Sequence, residues 1–143
     1  MIWPAIYVSS GLVKLWYCII FTVLIEWIIL KFFLKEKWGK TFLMSFIGNI
    51  ISGTIGIYIM PWIMIIWHFF ADNLLPNATF DIVNWILTYF FMCLGSVAVE
   101  VLAVKIIFRF PFKRLFLPML VGNALTYILT AILMFTGVIK LNF

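Results

Sequence analysis

Four apolar runs decide what this chain can become. They lie at about residues 11–34, 41–66, 82–108 and 115–139. Each exceeds the roughly 18 residues that cover a hydrocarbon core of ~30 Å at a helical rise of ~1.5 Å per residue. A soluble domain spends about a quarter of its positions on charge, whereas here 10% of 143 residues are charged and 66% are hydrophobic. The expected architecture is an all-α integral membrane protein with four transmembrane helices in one membrane domain, residues 1–143, and the lipid bilayer as its first partner. The chain opens Met-Ile-Trp-Pro-Ala and has no basic residue before Lys14. A cleavable signal peptide starts with a basic region, so the first run is expected to stay as a span.

The charges set an orientation. Lys31, Lys35, Lys37 and Lys40 surround the first predicted turn, and Lys105, Arg109, Lys113 and Arg114 surround the second, which accounts for eight of ten basic residues. The net charge of +5 therefore sits at two hairpins rather than on a nucleic-acid-binding face, and no nucleic-acid partner is expected. By the positive-inside rule both hairpin turns are cytoplasmic and both termini lie outside. The middle loop, about 71–81, carries Asp72 and Asp81 and no basic residue, and Trp62, Trp67 and Trp85 flank it as an outer aromatic belt would. Asn77-Ala78-Thr79 in that loop is a glycosylation sequon.

An internal repeat organises the runs into two hairpins. Displacing the chain by 74 residues lays Glu26 on Glu100, Lys31 on Lys105, Phe42-Leu43 on Phe116-Leu117 and Gly48-Asn49 on Gly122-Asn123. Thr22 meets Ser96, Ser52 meets Thr126, and Lys35 and Lys40 meet Arg109 and Arg114 at the same offset. Only five acidic residues and six asparagines occur in the chain, so coincidence of both types at one offset points to duplication. Unit 1 spans about 11–66 and unit 2 about 82–139. Each holds two spans, so the units enter the membrane the same way round, as parallel repeats about an axis along the membrane normal.

The repeat places its rare polar residues at one depth. Glu26 precedes Lys35 by nine residues and Asn49 follows Lys40 by nine, which puts both ~13 Å from the inner helix ends. Glu100 and Asn123 stand in the same relation to Arg109 and Arg114. Thr22 and Ser96 lie one turn outward of the glutamates, and Ser52 and Thr126 nearly one turn outward of the asparagines. The candidate site is therefore an intramembrane polar cluster of Glu26, Asn49, Glu100, Asn123, Thr22, Ser52, Ser96 and Thr126. A carboxylate facing lipid costs about 3 kcal/mol on insertion scales, so the cluster is expected to face inward. An amide can donate to a carboxylate or accept from a protonated acid, and two nearby carboxyls can share a proton or a cation. Lys31 and Lys105, five residues on, are expected to snorkel to the interface rather than pair with the acids.

Small residues Ser45, Gly48, Ser52 and Gly56 line one side of the second span, a pattern that lets helices approach closely in lipid. The fourth span offers Gly122, Thr126 and Thr130. Pro61 is expected to kink the second span or to end it and leave an interfacial segment at 62–70.

Intramembrane acids mark proton relays and ion paths. The favoured function is participation in proton, cation or small-solute transport, and the alternative is a non-catalytic accessory or scaffold subunit. Four spans enclose little, so either role implies a homo-oligomer or other membrane subunits. No nucleophile–base pair, phosphate loop or metal cluster points to an enzyme, and no catalytic residue, metal or cofactor is expected. His68 and Asp72 stand at i, i+4 but give only two ligands. Cys18 and Cys93 read as packing residues.

Overall fold

The computed structural model describes residues 16–74 and 82–135. They form four helices, α1 (Trp16–Leu34), α2 (Trp38–Leu74), α3 (Ile82–Phe108) and α4 (Phe112–Phe135), and no strand occurs among the described residues. Residues 75–81, with the sequon and Asp81, lie outside the described residues, as do both termini and the side chains of Cys18, Trp67, His68, Asp72 and Trp85.

Two described stretches, Tyr89–Phe108 and Phe112–Leu133, are long and apolar enough to cross a membrane. The sequence predicts four crossings, of which these two find support in the length and composition of the described helices. Helix α2 runs for 37 residues, through position 61. Pro61 thus leaves the helix unbroken, and the interfacial segment at 62–70 is replaced by continuous helix.

The helices close into a ring in which α1 packs on α2 and α4, and α3 packs on α2 and α4. Positions that face the centre recur 74 residues on. Val23, Glu26 and Leu30 are buried on α1, and Val97, Glu100 and Val104 on α3; Thr41, Ser45 and Ser52 are buried on α2, and Leu115, Met119 and Thr126 on α4. An apolar core of Leu30, Met44, Val97, Val101, Val104, Phe110, Leu115 and Met119 runs from the hairpin turns to one turn past Glu100.

Outside this ring the polarity of a water-soluble protein is inverted. Phe32 is 70% exposed and Ile106 73%, while Glu26, Glu100 and Asn123 are 1–2% exposed. Phe21, Ile28, Phe33, Ile50, Leu102 and Ile128 add to the same exposed apolar surface. Exposed apolar surface on this scale marks faces that meet a membrane or other apolar partners.

The two turns share one construction. Residues 35–37 and 109–111 separate the helices, and Lys35 and Arg109 adopt left-handed backbone with φ of 54° and 52°. That conformation ends a helix by folding the chain back on its last turn, and glycine usually supplies it. After each turn the next helix starts with matching bonds, Lys40 N to Lys37 O at 3.0 Å and Arg114 N to Pro111 O at 3.1 Å. Around the first turn Lys31 Nζ donates to Glu36 O and lies over the Trp38 ring. Trp27 Nε1 donates to Trp38 O at 2.9 Å. Lys40 pairs with Glu36 at 3.2 Å and stands over the ring of Phe110, which ties the first turn to the second.

Because Lys35 and Arg109 hold a backbone conformation that costs a non-glycine residue about 1 kcal/mol or more, Lys35→Gly and Arg109→Gly should each stabilise the fold. The expected gain is about 0.5–1 kcal/mol, read as a higher unfolding midpoint in detergent. A lower midpoint would show that the basic side chains contribute more than the backbone strain costs.

Candidate functional site

Each hairpin joins its own glutamate to its own asparagine. Asn49 Nδ2 on α2 donates to Glu26 Oε2 on α1 at 2.5 Å, and Asn123 Nδ2 on α4 donates to Glu100 Oε2 on α3 at 2.7 Å. The same amide groups also donate backward along their helices, Asn49 to Ser45 O at 2.9 Å and Asn123 to Met119 O at 3.2 Å. An amide has two N–H bonds, so this double engagement fixes the plane of each side chain and aims one N–H at the carboxylate.

The hairpins meet through the glycines that precede those asparagines. A Cβ at Gly48 would lie 3.5 Å from Glu100 Cγ, and one at Gly122 would lie 2.9 Å from Glu26 Cγ and 3.5 Å from its Cα. Each Gly-Asn dipeptide therefore does two things: the asparagine bonds the glutamate of its own hairpin, and the glycine makes room for the glutamate of the other. Farther outward on α2 this closeness ends, since a Cβ at Gly53 or Gly56 would meet nothing within 4 Å among the described residues. The expected small-residue seam is thus confined to Ser45, Gly48 and Ser52; Ser45 Oγ donates to Val23 O at 2.9 Å and Gly56 takes no part.

The symmetry then breaks. Ser52 Oγ on α2 donates across the hairpins to Glu100 Oε1 at 2.9 Å and lies 3.3 Å from Asn49 O. Its counterpart Thr126 donates instead to Asn123 O at 2.8 Å. Glu100 consequently has both oxygens hydrogen-bonded, while Glu26 Oε1 is buried with no hydrogen-bond partner among the described residues.

One outer residue of the cluster, Ser96, bonds away from the acids. Ser96 Oγ lies 3.3 Å from the hydroxyl of Tyr127, and Tyr127 packs edge-on against Tyr89 with ring centroids 5.0 Å apart. Ser96 thus belongs to a tyrosine pair on the second hairpin, a departure from the expectation that it serves Glu100. Thr22 lines a shallow groove between α1 and α4 with Thr126 and Thr130. Tyr127 escapes a search by repeat because its counterpart is Gly53. Its only sequence signal is its place one turn outward of Asn123.

Among the described residues no lysine bonds the acids: Lys31 is held at the turn by Glu36 O, and Lys105 is exposed. Among the described residues no three His, Cys, Asp or Glu side chains gather as a metal site. The centre is therefore two carboxyls, two amides and two hydroxyls, able to hold a proton and to arrange hydrogen bonds around it. Comparison of the chain with family models, with curated proteins and with solved structures finds no match.

The glycine contacts yield a paired test. Gly122→Ala drives a methyl against the stem of Glu26 and should cost about 1–3 kcal/mol as an overpacked site. Gly48→Ala meets Glu100 at ordinary contact distance and gains helix propensity of up to ~1 kcal/mol, so its unfolding midpoint should stay level or rise. Equal losses in both variants would show that the two contacts are alike.

Proposed function

We propose that this chain is a small four-span membrane protein whose paired Glu/Asn centre takes part in proton or cation transport, working as an oligomer or as a subunit of a membrane complex. The observation that carries the reading is the unpartnered Oε1 of Glu26, buried in a centre whose other three carboxyl oxygens are all bonded. A centre that served only to hold helices together could use amides and hydroxyls, because interhelical hydrogen bonds in lipid average only ~0.6 kcal/mol. A carboxyl with an open oxygen is costly there and suits a group that gains and loses a ligand.

The apolar exterior, the two crossing-grade helices and the basic turns support an arrangement of two parallel hairpins, turns on the cytoplasmic side, about an axis along the membrane normal. A scaffold role is the second reading, favoured by the Ser52–Glu100 bond that joins the hairpins.

Glu26→Gln with Glu100→Gln separates the two. Both substitutions keep shape and hydrogen bonding and remove the exchangeable proton. In vesicles reconstituted with the double variant, proton or cation flux should fall at least about tenfold (~1.4 kcal/mol in the barrier) while assembly stays normal. Unchanged flux ends the transport reading, and loss of assembly with the double variant favours the scaffold. For orientation, cysteines introduced as Glu36→Cys and Asn77→Cys should react with impermeant reagents from opposite sides. Reaction from one side would overturn the topology.

A further inference from the structure

We infer that the two glutamates have divided the work: Glu26 Oε1 is the atom that takes up and releases a proton, and Glu100 is a fixed acceptor that locks the hairpins around it. This deepens the transport reading, on which it rests for the identity of the ligand.

The division follows from donors already counted. Both Glu100 oxygens receive hydrogen bonds from neighbouring helices, Oε2 from Asn123 and Oε1 from Ser52. A proton arriving at Glu100 Oε1 would first have to turn the Ser52 hydroxyl away. Glu26 Oε2 is engaged by Asn49, but Oε1 accepts from no described residue although it is fully enclosed. The Ser45 hydroxyl beside this carboxyl is spent on Val23 O, so a proton can bind at Oε1 without displacing a donor. The close approach of Gly122, with its Cβ position 2.9 Å from Glu26 Cγ, restricts the space beside the carboxyl on the α4 side and selects the smallest ligand.

The cause of the asymmetry is a single methyl group. A threonine in a helix prefers rotamers that return its hydroxyl to a carbonyl three or four residues back, and Thr126 does this with Asn123 O at 2.8 Å. Serine lacks that restriction, and Ser52 reaches across to Glu100. Thr126 sits one turn from the Gly122 contact, on the face of α4 that meets Glu26, and its hydroxyl oxygen keeps acceptor capacity for a carboxylic proton. The same side chain lines the groove that it shares with Thr22 and Thr130. That groove lies on the side of the acids away from the turns. The step is an acid–base equilibrium: an O–H bond forms at Oε1 as one breaks in a hydronium ion, with water left behind, and the reverse step regenerates the carboxylate.

Among the described residues the charged and titratable groups around Glu26 are few. Helix α3 contributes Glu100 and Cys93, and α4 contributes Tyr127, whose hydroxyl is engaged with Ser96. Between Lys40 and Tyr58 helix α2 has no ionisable side chain, and on α1 itself Lys31 is committed to the turn. The lysines and arginines of α2, α3 and α4 stand at or near the hairpin turns.

Infrared difference spectroscopy of the full chain in liposomes, titrated with pH, tests the assignment. One titrating carboxylic C=O band is expected; Glu26→Gln should abolish it and Glu100→Gln should retain it. With both acids intact, Ser52→Thr should free Glu100 Oε1 and add a second titrating band, which keeps the test valid should a glutamine variant fail to fold. A band that survives Glu26→Gln, a band that both glutamine variants reduce equally, or an unchanged spectrum in Ser52→Thr would overturn the proposal. A Glu26 band in a protein without measurable flux removes the transport reading and leaves the proton site in place.

Discussion

Two carboxyl groups closed inside an apolar shell are the constraint on which the rest of this structure depends. An isolated acid at such depth costs about 3 kcal/mol, while a single interhelical hydrogen bond returns only ~0.6 kcal/mol on average. A single bond of that size does not offset the cost: Glu100 receives two, whereas Glu26 receives one and keeps an open oxygen. The asparagine of the same hairpin supplies one bond, Ser52 of the opposite hairpin supplies another for Glu100, and the glycines at 48 and 122 let the carboxyl stems approach the facing backbone. Closing the ring of four helices follows from this demand, because α1 needs α4 at Gly122 as much as it needs α2 at Asn49.

Much of the fold was legible because charge and hydrophobicity alternate so sharply. The predicted ends at 34 and 108 agree with α1 and α3, which stop at Leu34 and Phe108 where the basic turns begin. The apolar runs begin three residues after the helices α2 and α4 do. Trp38-Gly39-Lys40 and Phe112-Lys113-Arg114 are helical yet polar enough to fall outside an apolar run. The outer end of α2 was placed eight residues short, since a helix passing through Pro61 depends on what surrounds it rather than on local propensity. At the centre, counting residues from the flanking lysines and arginines put Glu26 level with Asn49, and a hydrogen bond joins them. The left-handed turns at Lys35 and Arg109 gave no signal, because neither residue is glycine.

What the sequence concealed is the inequality of the two halves. A repeat search rewards resemblance, so Ser52 opposite Thr126 and Gly53 opposite Tyr127 read as noise around a matched frame. In three dimensions those two positions distinguish the hairpins. Ser52 bonds a glutamate while Thr126 bonds its own backbone, and Tyr127 draws Ser96 into a tyrosine pair that unit 1 cannot build. A two-fold frame gives two equivalent acids, and two equivalent acids compete for one proton. Side chains that break the equivalence remove that competition with no change in backbone.

The surroundings of the centre also differ along the axis of the ring. Toward the turns lie Leu30, Met44, Val104, Leu115 and Met119, all fully or almost fully buried. On the opposite side Thr22, Thr126 and Thr130 border the groove between α1 and α4. Under the transport reading, a proton coming from the groove side meets Thr22, Thr126 and Thr130, whereas from the turn side it must pass these five apolar side chains, among which the buried Thr41 and Ser45 hydroxyls are spent on backbone carbonyls. Packed interiors resist gradual deformation and move between discrete arrangements, so passage requires those five side chains to separate together. Lys40 over Phe110 and the Lys40–Glu36 pair hold the two turns together below that layer.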